Sequence, residues 1–272
     1  MTSIATNTAA VRVQYHGIKN TKIETEAFER LSSGSRITDA SDDAAGLFIA
    51  SRMKAQISGL ERAVQNSFDG VSLVNSAEAN LNEIRNMVLR MREIAVQMAN
   101  GIYTDDPDRG FAQIEIDQLL QQIDLIAQNA NFNGVALLDG TMQNIGIQTG
   151  PTANERPSIF FKDNTTSGLQ ISSVDVTTQA NAKAAMGTLE TALTSISDEL
   201  SRTGAYENRF GHTISVLEQT ATATKISRGR IMDADMASES TALSKAQVLS
   251  QANTAMLAQA NRAMSTVLTL FN

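Results

Sequence analysis

The chain has 272 residues, 42% hydrophobic but only 4% aromatic, with no Trp and no Cys, and its 22 Lys and Arg against 29 Asp and Glu leave a formal net charge of −7. That apolar content suffices for a substantial core of Ala, Leu, Ile, Val and Met, a composition suited to helix packing more than to a β-sandwich. The acidic balance excludes nucleic acid as an electrostatic partner, and the absence of Cys excludes disulfides, thiolate metal sites and a cysteine nucleophile.

Residues 1–10 carry neither a basic segment nor an apolar run, so no cleaved secretory signal is expected, and no later window is apolar enough to predict membrane insertion. Residues 1–36 predict a terminal helix, in which Ile4, Val11 and Ile18 recur every seven residues and Ile23, Ala27 and Leu31 continue an apolar face. Ser32, Ser33, Gly34 and Ser35 break it, and Thr38, Asp39, Ser41, Asp42 and Asp43 offer caps for the next helix. A helical pattern runs over 44–60, after which Asn66, Asp69 and Gly70 allow either a break or a bend.

From 71 to 98 the heptad is continuous, through Val74, Ala77, Leu81, Ile84, Val88, Met91, Ala95 and Met98. At ~1.5 Å per residue such a helix spans roughly 45 Å and needs partner helices along its whole length. Gly101 ends it, and Asp105, Asp106 and Pro107 predict a turn into an antiparallel helix marked by Ala112, Ile116, Leu119, Ile123, Ile126 and Ala130. Asn129, Asn131, Asn133 and Gly134 tolerate left-handed backbone and close that helix.

Over 135–178 the period shortens: Ile145 with Ile147, residues 158–162, Leu169 with Ile171, and Val174 with Val176 predict short strands of a small hairpin region. Helical spacing then returns through Met186, Leu189, Leu193, Ile196, Leu200, Thr203, Glu207, Phe210, Ile214, Leu217, Ala221, Thr224, Arg228 and Ile231, the polar members serving register. The last stretch repeats it at Ala246, Leu249, Asn253, Met256, Ala260, Ala263, Val267 and Leu270, with a second row of Leu243, Leu257, Met264 and Phe271. The fold class expected is therefore mainly α: a long antiparallel helical bundle or coiled coil with a small β-hairpin region.

Chemistry is sparse. His16 and His212 stand far apart without metal-ligand spacing, and no Gly-rich loop runs into Lys-Ser or Lys-Thr, so no catalytic, metal or cofactor site is expected. Asp42 and Asp43, offered as a metal or acid/base pair, read better as helix caps. Met87, Met91 and Met98 read as core filling more than as an adaptable ligand surface, and Arg85, Arg90 and Arg92 with Glu83 and Glu93 as a solvated face. Between 239 and 271 only Glu239, Lys245 and Arg262 are charged. The apolar face left there either docks on the chain's own bundle or packs against other subunits.

Several runs resemble bacterial flagellin over nearly the whole chain. Leu31, Ser32, Ser33, Gly34, Ser35, Arg36 and Ile37, followed by Asp42, Asp43, Ala44, Ala45 and Gly46, resemble its amino-terminal signature. Leu81 to Ile84, Arg92 to Gln97, and Asn131, Phe132, Asn133 and Gly134 resemble later blocks, and so do Glu207 to Phe210, Asp233 to Glu239 and Leu257 to Asn261 in the carboxy half.

The resemblance implies an extracellular, self-assembling flagellar filament subunit for swimming motility, exported unfolded without a cleaved signal. It implies a terminal inner-tube domain of paired helices from residues 1–44 and 229–272, and a rod domain over 45–228 with hairpins at 135–178. Subunit contacts would involve Leu31, Arg36, Ile37, Asp42, Asp43, Leu249, Met256, Leu257, Val267, Leu270 and Phe271. Partners implied are further copies, the cap and hook-associated proteins, and the export apparatus with an export chaperone. Arg90, Glu93, Gln97 and Glu115 resemble a surface that a Toll-like receptor contacts in some flagellins. A hook-filament junction protein, or a non-polymerising adhesin or receptor-binding module, is the alternative reading.

Overall fold

The computed structural model describes residues 6–269 except 143 and 153, and leaves aside the side chains of 267–269. Its helices are α1 (Thr8–Ser33), α2 (Ala44–Met98), α3 (Gly110–Asn129), α4 (Gln179–Met232) and α5 (Met236–Thr269). Strands β1 (Asn131–Phe132) and β2 (Val135–Ala136) pair antiparallel, as do β3 (Ile145–Gly146) and β4 (Ser158–Ile159). The chain divides into two compact units, Met1–Ala55 with Ala223–Asn272, and Gln56–Thr222.

In the second unit the predicted heptad stripe is the core: Val74, Ala77, Leu81, Ile84, Val88, Met91 and Ala95 are all 0% exposed. Helix α2 does not break at Asn66 to Gly70 but runs unbroken for 55 residues. The reason lies in what those residues touch. Asn66 turns outward, its Nδ2 donating to the Gln148 carbonyl at 2.9 Å. Gly70 is buried where the Phe210 ring approaches, and a Cβ there would stand 3.1 Å from Phe210 Cζ, so the glycine serves packing and not a bend.

Helix α3 runs antiparallel to α2, its Glu115 paired with Arg90 and Arg109 at its start reaching Met98. Helix α4 also runs antiparallel to α2, with Gln179 meeting Ala99 and Phe210 meeting Gly70. The row that α4 buries is Ala182, Ala185, Leu189, Ala192, Ile196, Glu199 and Thr203, continued by the expected Phe210, Ile214, Leu217 and Ala221. Met186, Leu193 and Leu200, expected on the seam, lie one residue along and are only partly buried. Small side chains bring the helices close, and the larger ones pack at the flanks. Glu199, invisible as a core residue in the sequence, is 1% exposed. Its Oε1 accepts the Lys162 amide at 3.4 Å, and burial pushes its carboxyl above the ordinary range.

The 130–178 region departs most from expectation. Its first hairpin starts earlier, at Asn131, around Asn133 and Gly134 with φ of 50° and 80°, as a two-residue hairpin turn requires. The runs at 169–171 and 174–176 form no strands, although Ile171 and Val176 are fully buried. Side chains of α3 replace the missing ladder. Gln113 accepts from the Val176 amide at 2.8 Å and donates to the Val174 carbonyl at 3.2 Å, and Asp124 accepts from the Thr166 amide and hydroxyl at 2.8 and 2.9 Å.

The connector from α2 to α3 is held from inside. Over Asp105–Arg109 the backbone is not regularly helical, Asp106 being extended (φ −133°, ψ 124°) ahead of Pro107. Arg109, 3% exposed, donates to the carbonyls of Met98 (2.9 Å), Asn100 (2.8 Å) and Tyr103 (2.7 Å) and pairs with Asp105 at 2.6 Å. A fixed cation thus satisfies the unpaired carbonyls at the end of α2. Arg109→Ala should lower the stability of the chain by about 3 kcal/mol in urea denaturation, since several charge-assisted bonds to buried carbonyls are lost; an unchanged midpoint would show that the connector does not depend on it.

Candidate assembly and contact surfaces

In the first unit α1 and α5 lie antiparallel. Asn7 reaches the Ala260 carbonyl at 3.1 Å, Asn20 the Ala246 carbonyl at 2.6 Å and Arg30 the Glu239 carboxylate at 3.5 Å, in reverse order along the two helices. The residues turned toward this seam on α1 are Ala10, Val13, Gly17, Asn20, Glu24, Ala27 and Leu31, in alternating steps of three and four. On α5 they are Glu239, Leu243, Ala246, Ser250, Asn253, Leu257, Ala260 and Met264.

This seam is not the most apolar row of either helix. Small residues at Gly17, Ala27 and Ala246 allow close approach, and the buried Asn20 amide spans the helices. The larger apolar residues are left outside: on α1 Val11, Tyr15, Ile18 and Phe28 are 57%, 68%, 68% and 63% exposed, and on α5 Val248, Leu249 and Met256 are 65%, 44% and 57% exposed. The sequence reading placed Leu249 and Met256 on the same row as Ala246. The structure separates them: Ala246, Asn253 and Ala260 of that row share the seam with Leu243, Leu257 and Met264 of the second row, and Leu249 and Met256 fall outside it. A groove of about 440 Å³ follows the seam, with Val13, Ile23, Leu249 and Met256 among its walls. Ile4, Leu270 and Phe271 lie outside the described residues, as does the Val267 side chain.

The connector from α1 to α2 gathers most of the remaining candidate residues. Gly34 ends α1 with a left-handed backbone (φ 67°, ψ 6°). Ser35 then bridges Asp233, and the Arg36 amide and guanidinium donate to the carbonyls of Met232 and Ile231 at 2.6 and 2.7 Å. Ile37 is 2% exposed, packed at Gly46. Asp43 caps α2, its Oδ1 accepting the Gly46 amide at 2.8 Å. A Cβ on Gly46 would collide with the Asp43 carboxylate and the Ile37 methyl.

Asp42 accepts from the Thr38 amide and hydroxyl at 3.0 Å each and faces Arg30 at 3.5 Å. The Thr38 and Asp39 amides, the Thr38 hydroxyl and the Arg30 charge hold its carboxyl at about 2, against an ordinary 3.8. Arg36, Ile37, Asp42 and Asp43 therefore all spend contacts on the chain's own connector, and Leu31 is half-buried at the seam.

Arg90, Glu93, Gln97 and Glu115 do come together on the exposed face of the second unit. The Arg90 guanidinium bridges Glu115 of α3 at 2.8 Å and Glu93 one turn along α2 at 3.3 Å, and Gln97 donates to the Tyr103 hydroxyl at 3.2 Å. The bonds that the guanidinium donates to Glu115 first and then to Glu93 raise the Arg90 pKa further. Leu89, Val96, Phe111 and Ile114 on the same two helices are 40%, 49%, 68% and 58% exposed. The family resemblance points to the four polar residues and says nothing of these apolar ones, whose only signal in the sequence is that they fall off the core heptad. Among the described residues no cluster of His, Asp and Glu could hold a metal ion, and no helix is long and apolar enough to cross a membrane.

Comparison with known proteins gives matches over both halves of the chain. Residues 4–143 match the bacterial flagellin N-terminal helical region and residues 186–271 the bacterial flagellin C-terminal helical region. A flagellin of Halalkalibacterium halodurans is 38% identical over 247 residues, covering 90% of each chain. A flagellar filament core protein of Brachyspira hyodysenteriae is 39% identical over 251 residues, covering 85% of this chain and 86% of its own. Among solved structures, Bacillus cereus flagellin superposes with a TM-score of 0.50 and 32% identity, over 56% of this chain and 88% of its own.

Asp42 makes stability at the connector depend on pH. Its folded pKa lies below the unfolded one, so its contribution is present above the ordinary value of 3.8 and lost as pH falls through about 2. Asp42→Asn should accordingly lower the melting temperature at neutral pH, and the gap to the parent chain should close as the pH is taken from 4 to 2; a gap independent of pH would refute this role.

Proposed function

The chain belongs to the bacterial flagellin family, and on that footing we propose how it works: it is a structural subunit that polymerises into the flagellar filament for swimming motility. The observation that carries this reading is the outward apolar row on α1 and α5. A helix pair that buries its small and polar row while leaving Val11, Tyr15, Ile18, Val248, Leu249 and Met256 in water has a larger apolar area still to bury. Further copies of the same chain are the partner that a filament supplies at every site, through a non-closing contact repeated along a helix.

On this reading residues 1–44 and 229–272 form the inner tube and 45–228 the rod domain. Leu249 and Met256 contribute directly to subunit contacts and Leu257 supports them from the seam, while Val267, Leu270 and Phe271 are assigned to subunit contacts on the family resemblance alone. Leu31, Arg36, Ile37, Asp42 and Asp43 act one step back, by holding the connector between α1 and α2. The subunit works outside the cell, reached through the flagellar export apparatus with an export chaperone, and meets cap and hook-associated proteins at the filament ends. It has no catalytic role and no cofactor; the family is a structural one.

The exposed Arg90, Glu93, Gln97 and Glu115 face, flanked by Val96 and Ile114, is the surface for a host Toll-like receptor. A bridged arginine ringed by apolar side chains is the kind of patch in which interface hot spots concentrate.

Deleting residues 239–272 should leave a soluble, helical chain that forms no filaments in seeded electron-microscopy assays, while the full chain grows long ones; filaments from the truncated chain would sink the assembly reading. Growth of long filaments also separates a filament subunit from a junction protein. For the receptor surface, Arg90→Ala combined with Glu115→Ala should weaken binding of the monomer to the receptor ectodomain at least about tenfold, with unchanged circular dichroism, and equal binding would remove the proposal.

A further inference from the structure

Segment 158–162 is docked on α4 by side chains that meet its backbone at every second residue. Arg209 donates to the Ser158 carbonyl at 3.2 Å, the Tyr206 hydroxyl donates to the Phe160 carbonyl at 3.4 Å, and Glu199 Oε1 accepts from the Lys162 amide at 3.4 Å. Phe161 is fully buried and meets the Tyr206 ring edge-on, 6.3 Å between centroids. Of the three anchors only Glu199 is buried, and its second oxygen, Oε2, has no hydrogen-bond partner among the described residues. A carboxyl in that position is costly to ionise, because one oxygen would carry charge with nothing to bond it.

We propose that Glu199 is an acid-closed latch: with its carboxyl neutral, segment 158–162 stays packed on α4, and on ionisation the carboxylate takes up water at Oε2 and the Lys162 end of the segment opens locally. The latch lies wholly within the second unit and acts in the free chain, so it does not depend on assembly.

Burial sets the direction, raising the carboxyl above its ordinary 4.5. The Arg202 charge, the Lys162 amide and the Lys162 charge oppose burial, and Asp198 assists it. A folded-state value above the unfolded one gives a stabilisation that is complete below 4.5 and is lost as the pH rises through the raised value. In the register set by Gly70 with Phe210, Arg92 with Glu190 and Arg90 with Glu115, the charged residues at this level are Glu78, Glu83 and Arg85 of α2 and Asp124 of α3. Asp124 is committed to the Thr166 amide and hydroxyl. Arg209 and Tyr206 hold the other two positions of the segment, which confines the opening to its Lys162 end.

The test is hydrogen exchange of the full-length monomer, read by mass spectrometry on peptides covering 158–162 and expressed as protection factors, which removes the intrinsic pH dependence of exchange. Protection there should fall at least about fivefold between pH 5 and pH 8, while α2 around Leu81 and Val88 stays constant. Glu199→Gln, neutral throughout, should hold the segment's protection within about twofold over the same range. Glu199→Met, an apolar side chain of similar length, should protect the segment less but equally at both pH values. Histidine ordinarily changes charge in this range, and His212 stands on α4 three residues past Arg209, so His212→Gln is the control and should keep the full pH dependence. Asp124→Asn should keep it as well. Constant protection in the parent chain, a pH dependence that survives in both Glu199 variants, or its loss in His212→Gln or Asp124→Asn would overturn the proposal.

Discussion

The constraint on which the rest depends is the length of α2 and α4, 55 and 54 residues, each with an apolar row that recurs in steps of three and four. A helix that long cannot leave its row in water, because every buried Leu or Ile is worth ~1.5–3 kcal/mol whereas an exposed ion pair along the same helix is worth ~0.2–0.5 kcal/mol. Burial therefore sets the antiparallel order of α2, α3 and α4, and the polar groups trapped near the seam are fitted to it. Ser67 and Thr203 donate to carbonyls of their own helices at 2.8 Å, and Gly70 makes room for Phe210. The loops follow the same logic: Arg109 closes the end of α2, and Gln113 and Asp124 of α3 hold backbone that pairs with no strand.

The terminal pair obeys a different balance. Its seam contains Gly17, Asn20, Glu24, Ser250 and Asn253, residues that contribute little hydrophobic stabilisation, and its bulky apolar side chains face outward. Two helices paired this way hold together partly through specific hydrogen bonds and the connector at 34–43. An element so built keeps Val11, Tyr15, Ile18, Val248, Leu249 and Met256 exposed. That combination suits a surface completed by another molecule.

Charge and sulfur are arranged to match. The charged network of Arg90, Glu93 and Glu115 sits on the outer side of α2 and α3, where it costs the core nothing and remains available for recognition. The buried methionines fill the core of the second unit, and the two most exposed of the described ones fall on α5, on the element whose apolar face is open.

Sequence alone determined the helical class, the continuous core row of α2 and the antiparallel relation of the bundle, because a heptad of Val74, Leu81, Val88 and their neighbours has one way to leave water. Family blocks such as Leu31 to Ile37 made the membership legible. What only the tertiary structure decided were choices between rows of nearly equal spacing. Ala185, Ala192 and Glu199 took the seam in place of Met186, Leu193 and Leu200, and the row of Leu243 and Leu257 took it in place of Leu249 and Met256. Periodicity cannot rank two rows one residue apart. How closely the backbones approach, and therefore whether a small or a large side chain fits between them, is known only once the partner helix is in place.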